Sequence, residues 1–117
     1  MSWCIDNNIA SYSDIYVGVE DKREYFISEN DSIFFYDFTL KNKKLIIEFN
    51  GVLFHAKEES KKWRNPFTNE TAIDNLKRSK YKKNVAVRNG FKVMEIWSDE
   101  DPIINLELCK KFIIENI

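Results

Sequence analysis

The chain has 117 residues, of which 44% are hydrophobic and 15% aromatic, and its formal net charge is −1. This length suits a single compact domain over 1–117, as a whole protein or as part of a longer chain, and the apolar content excludes a disordered tail. The balanced charge argues against a uniformly basic domain, and no apolar run reaches the length of a membrane span. We therefore expect a soluble, intracellular protein without a membrane partner.

The charges are unevenly distributed along the chain. Between positions 57 and 92 there are eleven Lys or Arg residues and four acidic residues, a local excess of seven positive charges. A chain that is nearly neutral overall can therefore present one basic face to phosphate groups.

Hydrophobic periodicity and turn signals predict an alternation of strands and helices. In chain order the predicted elements are a short helix over 3–10, short strands at 16–17 and 25–27, a hairpin of strands 33–40 and 45–49, a polar loop over 56–68, a helix over 70–89, a strand over 91–97 and a helix over 102–113. Gly90 is placed to end the long helix and Pro102 to begin the last one. This order predicts an α/β domain with a mixed β-sheet flanked by helices.

Two acidic residues, Asp37 and Glu48, interrupt the apolar strands of the hairpin. Alternate residues of a strand share a face, so Glu48 is expected to lie beside Ile46 and Asn50. The residues expected on the face of Asp37 are Ile33, Phe35 and Thr39. Carboxylates among apolar side chains are costly unless a cation compensates them, and Mg²⁺ favours one or two carboxylates with waters and phosphate oxygens. The hairpin thus predicts a site for Mg²⁺ or Mn²⁺, the alternative being two ordinary edge residues that face water.

The only histidine, His55, follows the second strand of the hairpin by a few residues. An imidazole beside a metal site can take a proton from an attacking water. A metal, a base and a nearby basic surface are the parts that phosphodiester hydrolysis needs. Alone, a single histidine is more often a non-catalytic residue, so the prediction depends on its grouping with the two acids.

Four sequence blocks carry a resemblance to a known family: YDF at 36–38, LIIEFNG at 45–51, FH at 54–55 and GFKVMEIW at 90–97. Their order and spacing, over roughly 33–101, resemble the very-short-patch-repair endonuclease fold. They resemble more closely the phage homing endonucleases of that fold, which are named for an EDxHD motif. The resemblance implies a restriction-endonuclease-like core related to the PD-(D/E)xK nucleases, and hydrolysis of double-stranded DNA with Mg²⁺ or Mn²⁺.

The resemblance also implies roles for the hairpin residues. Asp37 matches the metal-binding Asp of the family, and His55 matches the general base. Glu48 falls where the wider PD-(D/E)xK pattern has its acid, and Asn50 stands where that pattern has Lys.

Two further positions of the family motif are altered in this chain. The family's second Asp lies on the basic helix and supports the His, and the matching position here is Ser79. The nearest acid, Asp74, is about 140° away around the helix. For the acid of the N-terminal helix, Asp6 is the candidate.

The basic loop and helix are expected to contact the phosphate backbone of DNA, although such residues more often form only a solvated face. The predicted DNA-binding residues are Lys61, Lys62, Arg64, Lys77, Arg78 and Lys80. The sequence therefore predicts the metal-dependent endonuclease domain of a phage homing endonuclease, and a repair or restriction nuclease is the nearest alternative. A catalytically inactive DNA-binding module on a nuclease scaffold is supported by Ser79, and a metal-independent interaction domain is the third possibility.

Overall fold

A computed structural model describes residues 2–18 and 23–116 of the chain. The described elements are α1 (Ser2–Asp6), a 3-10 turn (Tyr12–Asp14), β1 (Ile15–Val17), β2 (Tyr25–Glu29), β3 (Ser32–Tyr36), β4 (Phe38–Leu40), a second 3-10 turn (Lys41–Lys43), β5 (Leu45–Asn50), α2 (Ala72–Arg88), β6 (Lys92–Trp97) and α3 (Pro102–Glu115). Each predicted helix and strand has a counterpart among them. The first helix is shorter than predicted, and Asn8 takes a left-handed conformation (φ 57°) just beyond its end.

The main sheet has the strand order β1-β4-β5-β6. The β1/β4 and β4/β5 pairs are antiparallel, whereas β5 and β6 are parallel. The predicted hairpin is the β4–β5 pair, and its turn ends with Lys44 in the left-handed conformation (φ 56°). β2 and β3 form a separate antiparallel pair.

Helices cover both faces of the main sheet. From β5, Leu45 and Ile47 point into a core shared with α1 and α3, while Ile46 points into a second core shared with α2. The protein is therefore a mixed α/β domain with a mixed sheet flanked by helices, as the order of elements predicts. None of the helices in the described ranges is long and apolar enough to cross a membrane.

The predicted strand over 33–40 is broken at Asp37, so that β3 pairs with β2 and β4 pairs with β5. Tyr36 and Thr39 are both fully buried towards α2, although they are an odd number of positions apart. Alternation therefore shifts by one residue at the break, as it does at a β-bulge. The expectation that Ile33, Phe35, Asp37 and Thr39 share a face is wrong, because Ile33 and Phe35 are exposed whereas Thr39 is buried.

Helix α2 begins after Thr71, whose side chain caps it by accepting the backbone N–H of Asp74 at 3.2 Å. Gly90 follows the end of the helix with a positive φ of 89°, which fits the predicted stop. The fully buried side chains of α2 include Asn75 as well as apolar residues, so the inner face of this helix carries a polar group.

Replacing Thr39 or Thr71 by Val is predicted to change the free energy of unfolding in opposite directions. Among the described residues, Thr39 Oγ1 is buried without a hydrogen-bond partner, whereas Thr71 Oγ1 caps α2. Thr39→Val should therefore raise the free energy of unfolding by about 1 kcal/mol, and Thr71→Val should lower it by a similar amount. Urea denaturation of both variants measures this, and destabilisation by Thr39→Val would contradict it.

Candidate active site

At the strand break, two backbone N–H groups donate to acidic side chains. The N–H of Asp37 donates to Oε1 of Glu48 at 2.8 Å, and the N–H of Phe49 donates to Oδ2 of Asp37 at 2.8 Å. Each carboxylate thus accepts a backbone N–H of the neighbouring segment at the break between β3 and β4. This exchange fixes the two acids next to each other.

Glu48 is a buried carboxylate, only 9% exposed. Its Oε2 accepts a hydrogen bond from the Lys82 ammonium at 2.9 Å, and the two side chains form an ion pair. Burial raises the pKa of Glu48; Lys82 opposes this rise and the Asp37 carboxylate adds to it. The cation that compensates this acid in the structure is therefore Lys82, which lies on α2 above the same face of the sheet.

Tyr36 holds Lys82 in place. The hydroxyl of Tyr36 donates to the backbone carbonyl of Lys82 at 2.7 Å, and the ammonium of Lys82 lies 5.0 Å from the centre of the Tyr36 ring. Tyr36 is fully buried, and burial, followed by the charge of Glu48, raises the pKa of its phenol to about 12. The phenol is therefore neutral at physiological pH and remains a hydrogen-bond donor.

His55 lies in the turn that follows β5, where its backbone N–H donates to the carbonyl of Gly51 at 3.0 Å. Burial lowers the pKa of its imidazole below the ordinary value of 6.5, and the charges of Lys82 and Arg78 lower it further, against Asp37 and Glu95. The half-buried imidazole is consequently neutral near pH 7, which is the form that can accept a proton.

A cleft of about 430 Å³ between α2 and the sheet brings several of these groups together. The polar and charged residues that line it are Ser32, Glu48, Asn50, His55, Arg78, Ser79, Lys82, Lys83 and Glu95. Of the predicted site residues, Glu48, Asn50, His55, Arg78 and Ser79 thus line one cleft, together with Lys82.

Asp37 lies at the edge of this arrangement. Its exposed side chain lines a second cleft, on the α1 and α3 face of the sheet, beside Trp3 and Cys4. Its charge still influences both Glu48 and His55 across the strand break. The predicted metal-binding acid therefore lies between the two clefts.

The remaining acids that the sequence suggested lie elsewhere. Asp74 is exposed in the first turn of α2, where its backbone N–H is used by the helix cap. Asp6 is exposed at the end of α1, a helix that contributes Trp3 and Cys4 to the cleft beside Asp37. Of the two α2 positions considered for the support of His55, Ser79 lines the cleft with His55 and Asp74 does not.

The predicted DNA-binding residues are distributed over two exposed regions. All six are exposed to solvent, with Lys61, Lys62 and Arg64 in the loop and Lys77, Arg78 and Lys80 on α2. Arg78 differs, because its guanidinium donates to both oxygens of Glu70, at 2.9 and 3.1 Å. A phosphate would have to compete with this forked ion pair for Arg78.

Sequence reasoning missed Lys82 as a partner of Glu48, and it missed Asn75 and Glu95 altogether. Asn75, Ser79 and Lys82 lie four and three positions apart, which is the spacing of one helix face. A polar stripe at that spacing was therefore the available signal for Asn75 and Lys82. Glu95 is the residue of β6 in register with Glu48, so the pairing of strands had to be known before it could be found.

The acids at the strand break are the residues that could hold a divalent metal. Within the described part of the chain, no group of three or more His, Cys, Asp or Glu side chains is close enough to hold a metal ion. Two carboxylates nevertheless suffice for Mg²⁺, which keeps several waters and takes oxygens from a bound phosphate. Asp37 and Glu48 are the candidates, because each carboxylate accepts a backbone N–H at the strand break and the charge of Asp37 acts on Glu48, although Glu48 lines the cleft beside α2 and Asp37 lines the cleft on the α1 and α3 face.

Comparisons with protein-family models, with curated proteins and with solved structures found no match for this chain.

The titration of His55 provides a direct test of this electrostatic arrangement. Its pKa should lie below 6.5 through burial and the neighbouring cations, and Lys82→Met should raise it because removing a positive charge favours the imidazolium. Because the chain has a single histidine, NMR spectroscopy follows its imidazole without assignment. Lys111→Met, on the exposed side of α3, is the matched control. A wild-type pKa above 6.5, or no change in Lys82→Met, would contradict these assignments of charge.

Proposed function

We propose that this chain is the catalytic domain of a metal-dependent DNA endonuclease. The observation that carries the proposal is that Glu48, Lys82 and His55 line one cleft, while Asp37 accepts a backbone N–H of β5 at the strand break and its charge acts on both Glu48 and His55. Carboxylates, a partly buried ammonium and a neutral imidazole are groups suited to hydrolysis of a phosphodiester.

Each side chain has a distinct role in this proposal. Water attacks the phosphorus, the P–O bond to the leaving oxygen breaks, and the proton of the water passes to His55. Lys82 lines the same cleft as His55, so its ammonium could stabilise the negative charge of a phosphate oxygen bound there. Asp37 and Glu48 would hold Mg²⁺ or Mn²⁺, which when bound supplies positive charge to the scissile phosphate group.

Duplex DNA is the proposed substrate because Arg78, Lys82 and Lys83 line this cleft and further exposed cations lie elsewhere on α2 and in the preceding loop. Lys77 and Lys80 lie on the same helix as Lys82, and Lys61 and Lys62 lie in the loop that precedes it. The resemblance of the hairpin blocks further suggests a restriction-endonuclease-like core and a phage homing endonuclease. Repair and restriction nucleases share the same chemistry and are the nearest alternatives.

Nicking of supercoiled plasmid tests the endonuclease directly. Cutting should require Mg²⁺ or Mn²⁺, stop with EDTA, and fall about 10²–10⁴-fold in His55→Ala, which lacks the base. Asp37→Asn and Glu48→Gln should remove metal-dependent cutting, whereas Glu115→Gln, an exposed acid of α3, should cut like the parent. Cutting that survives in His55→Ala, or that persists in EDTA, would contradict the assigned roles.

A second candidate is a catalytically inactive DNA-binding module on the same scaffold. Two observations favour it: Lys82 and a backbone N–H already compensate Glu48, and Ser79 provides no charge to support His55. Such a module would bind DNA without turnover. Ser79→Asp is then the informative variant, because metal-dependent cutting gained by this change alone would identify the missing acid as the cause.

Both candidates predict binding through phosphate contacts, which depends on salt. Replacing Lys61, Lys62 and Arg64 together by Ala should weaken DNA binding and reduce the slope of log affinity against log salt, by about 0.9 for each phosphate that is no longer neutralised. Gel retardation at several salt concentrations measures the slope, with Lys110→Ala/Lys111→Ala on α3 as the control. Little or no salt-dependent DNA binding by the unmodified protein would instead argue for an interaction domain that does not bind nucleic acid.

A further inference from the structure

Asn75 is a fully buried polar residue whose side chain reaches the segment that carries His55. Its Oδ1 accepts the backbone N–H of Ala56 at 2.8 Å, and its Nδ2 donates to the backbone carbonyl of Phe54 at 3.1 Å. These two peptide groups belong to the residues immediately before and after His55. One carboxamide on α2 therefore binds the backbone on both sides of the imidazole.

The partners of the carboxamide leave only one orientation for it. Nδ2 also donates to Oε1 of Glu70 at 2.9 Å, so the nitrogen meets two acceptors and the oxygen meets one donor. Rotating the amide by 180° would set its NH₂ group against an N–H and its oxygen against two oxygens. The side chain is thus fixed by charge and hydrogen bonding as well as by packing.

Glu70 is itself held as an anion. Its hydrogen bonds from Arg78, followed by that from Asn75, lower the pKa of Glu70 against the opposing effect of burial. Arg78, Glu70 and Asn75 consequently form a connected chain of charge-assisted hydrogen bonds that ends at the peptide groups flanking His55.

We propose that Asn75 is a positioning residue for His55, acting through the backbone on either side of it rather than through the imidazole ring. The proposal rests on the role of His55 as the base of the proposed endonuclease. Asn75 lies one helical turn before Ser79 on the same face of α2. The helix therefore supports His55 from a neighbouring turn, with a neutral amide and without a carboxylate next to the ring.

Asn105 provides a matched comparison within the same fold. It is also a buried asparagine in a helix, and its Nδ2 donates to the backbone carbonyl of Trp97 at 3.0 Å. It lies on α3, on the opposite side of the sheet from α2, and among the described residues its Oδ1 is buried without a partner. Asn105→Ala therefore removes a buried helix amide without touching the His55 segment.

Hydrogen exchange tests the contact without reference to cleavage. In the unmodified protein the Ala56 amide should exchange slowly despite lying in a long loop, because Asn75 Oδ1 accepts it. Asn75→Ala should accelerate that exchange and displace or broaden the single imidazole signal in NMR spectra, and Asn105→Ala should do neither. Rapid exchange of Ala56 in the unmodified protein would overturn the proposal, whichever variants fold.

Cleavage kinetics then distinguish positioning from a general loss of structure. Asn75→Ala should lower kcat about 100-fold while KM changes little, since a small displacement of a reacting group is costly and the exposed cations Lys61, Lys62 and Arg64 are untouched. Asn75→Asp serves if the alanine variant does not fold: it keeps the acceptor for Ala56 and loses both donated hydrogen bonds, so the imidazole signal should still broaden. An unchanged imidazole signal in a folded variant of Asn75 would overturn the proposal even if the chain proves not to be a nuclease.

Discussion

Two hydrogen bonds lie at the break where the chain passes from the β2/β3 pair into the main sheet: the N–H of Asp37 donates to Glu48, and the N–H of Phe49 donates to Asp37. Without the two carboxylates, the backbone N–H groups of Asp37 and Phe49 would lack these acceptors at the break between β3 and β4. Leaving a buried backbone donor unpaired costs roughly 1–3 kcal/mol, so Glu48 stabilises the chain chiefly by accepting the part-buried N–H of Asp37, whereas the hydrogen bond from Phe49 to Asp37 is exposed. Carboxylates meet the need and also place two negative charges side by side. The same feature that closes the sheet therefore creates the candidate site.

Helix α2 completes the site because of the face it presents to the sheet. Asn75, Ser79 and Lys82 recur at helical spacing along that face, and each meets a different part of the hairpin region. Asn75 binds the His55 segment, Ser79 lines the cleft and Lys82 pairs with Glu48. Val85 and Ala86, near the end of the helix, fix its rotation by packing into the core with Ile46. Any rotation of α2 would therefore disturb the contacts of Asn75 and Lys82 and the lining of the cleft by Ser79 together.

Burial changes the protonation of the acid and the base in the same physical sense, since it disfavours the charged form of each. It raises the pKa of Glu48 and lowers that of His55. Lys82 opposes the first change and adds to the second, so one ammonium favours both an ionised Glu48 and a neutral His55. The buried acid needs a cation, as its place among apolar strand residues predicts. A lysine meets that requirement in the structure, and for this reason the role of a divalent metal rests on the proposed chemistry and not on the stability of Glu48.

The sequence by itself determined the order of elements and the mixed sheet flanked by helices. It also determined that the long helix ends near Gly90 and that the last helix begins at Pro102. These features depend on local periodicity and turn chemistry. The sequence also determined that Glu48 and Asn50 share a face. Only the tertiary structure decided the break at Asp37, the pairing of Lys82 with Glu48 and the hydrogen bonds of Asn75 to the residues beside His55. Local patterns report which way a side chain points, but not which residue of a distant element lies opposite it. That choice depends on strand register and helix rotation, which are set by the packing of the whole core.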